Sequence, residues 1–288
     1  MSASKKVADY LSLIKFSHTV FALPFAFVGF SLAILKDGYA FQPRLLLLML
    51  LCMVFARSAA MAFNRWLDRR FDALNPRTAK REIPAGVISP KHALWFVIIS
   101  SLLFVVTTFF INPLCFYLSP VALLVILFYS YTKRFTPLCH LVLGLGLSLA
   151  PIGAYLSVTG SFNIIPLIFS FLVLTWVSGF DIIYALQDEE FDRSQQLYSI
   201  PSVLGARRAL NVSNLLHIGS AALVITAGMA GHFSWLYWVG AAVYTGMLLY
   251  QHLLVKPNDL SKVNIAFINT NSVASICFAV FTIASFFI

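Results

Sequence analysis

Long apolar stretches separated by short polar connections run through the 288 residues of this chain. About twenty residues of helix rise roughly 30 Å, the depth of a bilayer's hydrocarbon core, and helices satisfy their own backbone there. The pattern therefore predicts membrane-spanning helices. Nine apolar segments can be read, at residues 16–35, 45–63, 93–111, 114–131, 138–158, 164–183, 209–230, 235–255 and 263–288. The connections after the third, fifth and seventh are short and carry no Lys or Arg. Those after the second, fourth, sixth and eighth hold residues 65–91, Lys133 with Arg134, residues 193–208 and residues 256–262.

Composition agrees with an all-α integral membrane protein of one domain, since 60% of residues are apolar and 11% are charged. The formal charge of +9 does not mark a nucleic-acid binder, because the basic residues follow topology. With Lys5, Lys6 and Lys15 included, 17 of the 20 lie on one side. Lys36 and Arg44 lie opposite, and Arg57 falls inside a span. The positive-inside rule puts that richer side in the cytoplasm, with the chain multi-pass in the cell inner (plasma) membrane. The apolar segment after the basic N-terminus is too long for a signal-peptide core, so it is expected to stay as the first span. Cys52, Cys115, Cys139 and Cys277 lack paired spacing and are expected as small core residues.

Polar chemistry gathers after two of the spans. Asn64, Asp68 and Asp72 follow one another at steps of four and share a helical face if the second helix continues past its apolar run. Arg57 lies on that face two turns deeper, where a charge normally meets a cavity or a partner. The pattern Asp-x-x-Phe-Asp recurs at Asp188 and Asp192, 120 positions on, and spacings of three and four add Asp181 and Tyr184 to the same face. Both motifs open the longer basic connections, each with an Ile-Pro further on, as in a diverged internal duplication. Carboxylates this dense repel unless a cation intervenes, and an oxygen-only donor set suits Mg²⁺ shared with phosphate. Arg77, Lys80, Arg81, Lys133 and Arg134 lie between the motifs and are of the kind a diphosphate needs. The six His residues show no ligand spacing, so haem or zinc is not expected. Trp235, Tyr237 and Trp238 read as an interfacial aromatic belt, and Gly144, Gly146 and Gly153 as close-packing positions.

The sequence resembles the UbiA superfamily of intramembrane aromatic prenyltransferases from Ile14 to at least Gly205. The match is carried by Asn64-x-x-x-Asp68-x-x-x-Asp72, by Asn75-Pro76-Arg77-Thr78-x-x-Arg81-x-Ile83-Pro84-x-Gly86, by Tyr129-x-x-x-Lys133-Arg134, and by Asp181-x-x-Tyr184-Ala185-x-x-Asp188-x-x-x-Asp192. The resemblance implies about nine helices around a cavity open to lipid. It also implies a polyprenyl diphosphate donor bound through Mg²⁺ on Asp68, Asp72, Asp188 and Asp192, which are the expected catalytic residues. Arg77, Arg81 and Lys133 would hold diphosphate oxygens. Asn64 would orient metal or phosphate, Tyr129, Asp181 and Tyr184 belong to the matched substrate motifs, and Arg57 or Lys15 would receive an aromatic acid's carboxylate. The first stretch, residues 14–24, resembles the branch labelled 4-hydroxybenzoate polyprenyltransferase. Arg65 stands where many 4-hydroxybenzoate enzymes have Asp, which bears on the acceptor more than on the reaction, and 1,4-dihydroxy-6-naphthoate is the alternative. A cation-coupled transporter is the reading from another class. It fits less well, because the carboxylates cluster at span ends beside basic groups.

Overall fold

A computed structural model describes residues 9–14 and 21–288. Among the described residues the regular elements are all helices. Helix α1 (Leu23–Ser31) continues as a π turn to Lys36, and α2 spans Pro43–Leu74. There follow α3 (Pro90–Phe109), α4 (Pro113–Thr132), α5 (Cys139–Thr159) and α6 (Ile164–Ala185). Two short helices, α7 (Glu189–Ser194) and α8 (Ile200–Leu204), lead to α9 (Ala206–Ala230), α10 (Trp235–Leu254) and α11 (Thr270–Ala284). Among the described residues, seven helices are long and apolar enough to cross a membrane. The shorter apolar helix Leu23–Lys36 and α10 occupy the first and eighth predicted segments.

Helix starts follow local chemistry. Pro43, Pro90 and Pro113 sit in first turns, where their missing N–H is not needed. The side chains of Ser89, Asn112 and Asn163 accept from free amides of α3, α4 and α6. α2 runs unbroken for 32 residues until Asn75, an extended residue before Pro76.

α6 is the central helix, with 61% of its span buried against 22% for α2 and 17% for α4. Trp176 and Phe169 on α6, Tyr244 on α10 and Phe278 on α11 are fully buried in one aromatic core with Phe25 of α1. Close approach is set by small residues. A Cβ on Gly29 would stand 2.0 Å from the Pro151 carbonyl oxygen, and one on Gly144 would stand 2.5 Å from that of Leu174. Gly146 and Gly153 meet no such crowding, so the packing role read for span five belongs to Gly144.

Two other expectations change. Trp235 and Trp238 are exposed as a belt requires, but Tyr237 is fully buried, its hydroxyl donating to the Val224 carbonyl at 2.6 Å. The bare surface of Gly228 admits its ring. The cysteines remain unpaired as expected, yet all four are only half-buried.

Candidate active site

The site forms where one end of α2 meets the α4–α5 turn, the end of α6 and α7. Because α2 does not stop at its apolar run, Asn64, Asp68 and Asp72 stand on successive turns as the spacing predicts. Asp68 and Asp72 are buried. Asn64 donates to Asp68 Oδ2 at 3.2 Å. Lys133 Nζ lies 2.9 Å from the same oxygen and Arg134 reaches Oδ1 at 3.3 Å. Arg81 pairs with Asp72 Oδ1 at 2.6 Å, while Asp72 Oδ2 is buried without a partner.

The loop after α2 is shaped to deliver its cations. The Asn75 side chain accepts from the Arg77 amide at 2.9 Å, a local turn, and Thr78 caps the Asp72 carbonyl at 3.0 Å. Arg77 is thereby aimed across the site. Its Nε meets Asp188 Oδ1 at 3.0 Å, its Nη2 meets Oδ2, and its Nη1 donates to the Tyr184 hydroxyl at 2.9 Å. Asn75 adds a bond to Asp188 at 3.0 Å. The two carboxylate motifs are thus joined on one face of the bundle by side chains of the intervening loop.

The second motif departs from simple periodicity. α6 tightens into a 3-10 turn at Leu186–Asp188 before α7 begins, so the four residues do not share one regular helical face. Tyr184 stacks on Phe267 with ring centroids 4.1 Å apart and holds Arg77. Asp192 is buried on α7. Asp181 turns to His140, whose Nδ1 lies 2.7 Å from its Oδ2. The Ile200 amide donates to the other ring nitrogen at 3.2 Å, so Nδ1 carries the proton given to Asp181. α7 ends with Gln196 at φ 55°, and the Leu197 amide returns to the Asp192 carbonyl at 2.8 Å. That reversal brings the Tyr198 amide to the Lys133 carbonyl at 2.7 Å.

Neighbouring carboxylates act on the protonation of Lys133 and Arg77. Burial pulls the Lys133 ammonium down, but the charge and hydrogen bond of Asp68, with Asp192 and Asp72 behind it, hold it above its ordinary value. Burial likewise opposes Arg77, and the hydrogen bond and charge of Asp188 outweigh it. Both stay charged at neutral pH.

Of the remaining expected residues, Tyr129 is half-buried on α4, within electrostatic reach of Asp68, Arg65 and Asp181. Arg57 is half-buried on α2, and Lys15 lies outside the described residues. His140 was not legible in sequence, because its partners lie 41 and 60 positions away. His217 is another buried histidine, bonded to His252 at 2.9 Å.

Among the described residues, no three His, Cys, Asp or Glu side chains form a ready metal cage. The donor set nevertheless suits a hard divalent cation. It is all carboxylate, and Asp72 Oδ2 retains buried, unclaimed lone pairs. Mg²⁺ characteristically takes few protein ligands and completes its shell with water and phosphate.

Known proteins place the chain. The sequence profile of the UbiA prenyltransferase family matches residues 22–273. A 4-hydroxybenzoate octaprenyltransferase of Tolumonas auensis is 31% identical over 235 residues, 81% of this chain and 82% of that one. The apo structure of a UbiA homolog from Aeropyrum pernix K1 superposes with a TM-score of 0.79 at 31% identity, covering 93% of this chain and 96% of that one. The structure of a UbiA homolog from Archaeoglobus fulgidus bound to DMAPP and Mg²⁺ shares the fold, with a TM-score of 0.77 at 21% identity over 97% and 99% of the two chains. An all-helical membrane bundle with paired aspartate motifs cross-linked by basic side chains, matched over most of its length by these relatives, belongs to the UbiA prenyltransferase family and is a polyprenyltransferase.

Proposed function

We propose that this enzyme transfers a polyprenyl group from polyprenyl diphosphate to an aromatic acid, 4-hydroxybenzoate in the first instance, in quinone biosynthesis. The observation that carries the proposal is the cross-linked pair of motifs. Four carboxylates and four basic side chains meet at one end of an apolar bundle, joined through Arg77 with Asp188, Arg81 with Asp72, and Lys133 and Arg134 with Asp68. The relative from Tolumonas auensis carries that activity in its name, and the Archaeoglobus fulgidus homolog was solved with DMAPP and Mg²⁺.

Asp68, Asp72, Asp188 and Asp192 would hold Mg²⁺, which when bound would neutralise the diphosphate and support it as a leaving group. Arg77 and Arg81 engage diphosphate oxygens through their forks, and Lys133 adds a compact charge. Asn64 steadies the Asp68 carboxylate that it already bonds. The apolar helix walls keep water from the allylic carbon. The C–O bond breaks with its electron pair leaving on diphosphate. An aromatic carbon ortho to a hydroxyl attacks the allyl cation, and loss of the ring proton restores aromaticity. The acceptor's carboxylate falls to Arg57, two turns deeper on α2 than Asn64, or to Lys15. Placement of the site on the cytoplasmic side of the inner membrane rests on the basic loops that surround it.

Arg65 stands where many 4-hydroxybenzoate enzymes have Asp, which keeps 1,4-dihydroxy-6-naphthoate, on a route to menaquinone, as the second acceptor. Purified protein in detergent with Mg²⁺ and geranyl diphosphate, offered both acceptors, tests the proposal by mass spectrometry. Prenylated 4-hydroxybenzoate as the main product is expected. Preference for the naphthoate keeps the reaction and changes the pathway, and absence of product with either refutes the aromatic-acid reading.

A further inference from the structure

Away from the aspartates, a groove runs between α2 and α4. Phe63, Leu124, Leu127, Phe128 and Tyr131 line about 260 Å³ there, almost entirely with apolar atoms. Leu124, Phe128 and Tyr131 are 66%, 46% and 47% exposed, so the groove opens outward, to the side where a bilayer lies against the helices. It belongs to a different face from the chemistry. Asn64, Asp68 and Asp72 follow one stripe of α2, whereas Phe63 stands about 100° round the helix and shares its stripe with Arg70, seven residues and about 10 Å further along.

Polar groups gather at the end of the groove nearer the loops. Trp66 stacks on Phe63 with ring centroids 5.9 Å apart. The Arg69 guanidinium lies 5.0 Å over the Trp66 ring and donates to the Trp66 carbonyl at 2.6 Å. Arg69 and Arg70 make no ion pair with a described residue, and the acids beside them on α2 are already held, Asp68 by Lys133 and Arg134 and Asp72 by Arg81. The Trp66 indole N–H and the Tyr131 hydroxyl also bond no described residue. An apolar trough that ends in two uncommitted guanidinium groups and two uncommitted donors matches an amphiphile with an anionic head. One acyl chain fits the trough, phosphate oxygens meet the arginines, and ester oxygens lie level with Trp66 and Tyr131, the depth at which such rings settle in bilayers.

We propose that the α2–α4 groove binds one anionic phospholipid of the surrounding bilayer, selected by Arg69 and Arg70. Charge decides among lipids with the same tails. Each Arg beside the headgroup favours a net anionic lipid by about fivefold, while a zwitterionic headgroup brings its own cation and gains less. The site stands apart from prenyl transfer, since neither arginine takes part in the pairing around the aspartates. Free phosphate and a prenyl diphosphate share part of the chemistry, so both enter the test as competitors.

Trp66 supplies the readout. The full chain is placed in phosphatidylcholine nanodiscs doped with either phosphatidylglycerol or phosphatidylcholine brominated near the top of the acyl chains, and quenching of tryptophan fluorescence is titrated. The chain has five Trp residues, so the Trp66 component is taken as the difference between wild type and Trp66→Phe. Brominated phosphatidylglycerol should half-quench that component at about a five- to tenfold lower mole fraction than brominated phosphatidylcholine. The double variant Arg69→Gln with Arg70→Gln should bring the two lipids within about twofold. Equal quenching by both lipids in wild type, or a preference that survives the double variant, overturns the proposal. Relief of quenching by inorganic phosphate or by geranyl diphosphate also overturns it, because the arginines would then serve a soluble anion or the donor. If the double variant does not fold, salt decides. The wild-type preference should shrink as NaCl rises from about 0.05 to 0.5 M, and a preference indifferent to salt overturns the assignment to Arg69 and Arg70.

Discussion

Arg77 spans from the loop after α2 to Asp188 at the end of α6, meeting both carboxylate oxygens while also donating to the Tyr184 hydroxyl. One side chain thus joins the two halves of the site, and its removal tests the joint. Arg77→Ala should lower kcat/KM for the diphosphate donor by about a hundredfold, near 3 kcal/mol of lost transition-state binding. Arg77→Lys should recover part of this, since charge returns without the fork. Steady-state kinetics with varied donor provide the check, and an unchanged donor dependence would argue that Arg77 is a structural tie alone.

Asp68 and Asp192 come from different motifs, so they test whether both are needed. Asp68→Ala and Asp192→Ala should each reduce turnover by about a thousandfold or more, and chelation of divalent cations by EDTA should do the same to wild type. Product formation measured after adding back Mg²⁺ gives the readout. Mg²⁺-dependent turnover persisting in both variants would sink the four-carboxylate assignment.

Lys133 fixes a sign for pH dependence. Its folded pKa is raised, so the stability it contributes is fully present below its unfolded value, about 10.4, and is lost only as pH rises past the folded one. Thermal unfolding in detergent should therefore show no Lys133-linked loss between about pH 6 and pH 9. A decline centred near neutrality that disappears in Lys133→Met would contradict the charged, Asp68-paired state.

Gly29 predicts a packing penalty far from the chemistry. With a Cβ placed 2.0 Å from the Pro151 carbonyl oxygen, Gly29→Val must push α1 from α5. The expected cost is about 1–3 kcal/mol or more, seen as a lowered unfolding temperature with little change in KM for either substrate.

What the sequence disclosed depended on how local the signal was. The helices were readable because hydropathy reports burial in lipid residue by residue, and the unbroken step from Asn64 to Asp72 follows from a helix with no Gly or Pro between Pro43 and Pro76. The pairing of Arg77 with Asp188 was not readable, since 111 positions separate them and no periodicity connects a loop to a distant helix end. A separation of 41 positions likewise hid the His140–Asp181 bond. Tyr237 was misread for a related reason. Its neighbours in sequence are interfacial tryptophans, and what buries it is the missing side chain at Gly228. The 3-10 turn at Leu186–Asp188 left no mark in the spacing of acids, so the second motif looked more regular than it is.

The matching of acids and bases around Asp68, Asp72 and Asp188 has one further consequence. On the proposed function a donor would arrive with anionic oxygens and accompanying cations, and both kinds of group on the protein are already engaged with each other. Loading would then be an exchange of partners, as on an ion-exchange resin. Phosphate would take the guanidinium and ammonium groups, leaving Asp68, Asp72 and Asp188 to hold the accompanying cation. Since bonds are swapped instead of created, little net charge is uncovered at any stage in a region of low dielectric. The diphosphate product would leave by the same exchange run backwards, with Arg77, Arg81 and Lys133 returning to the aspartates that they pair with in this structure.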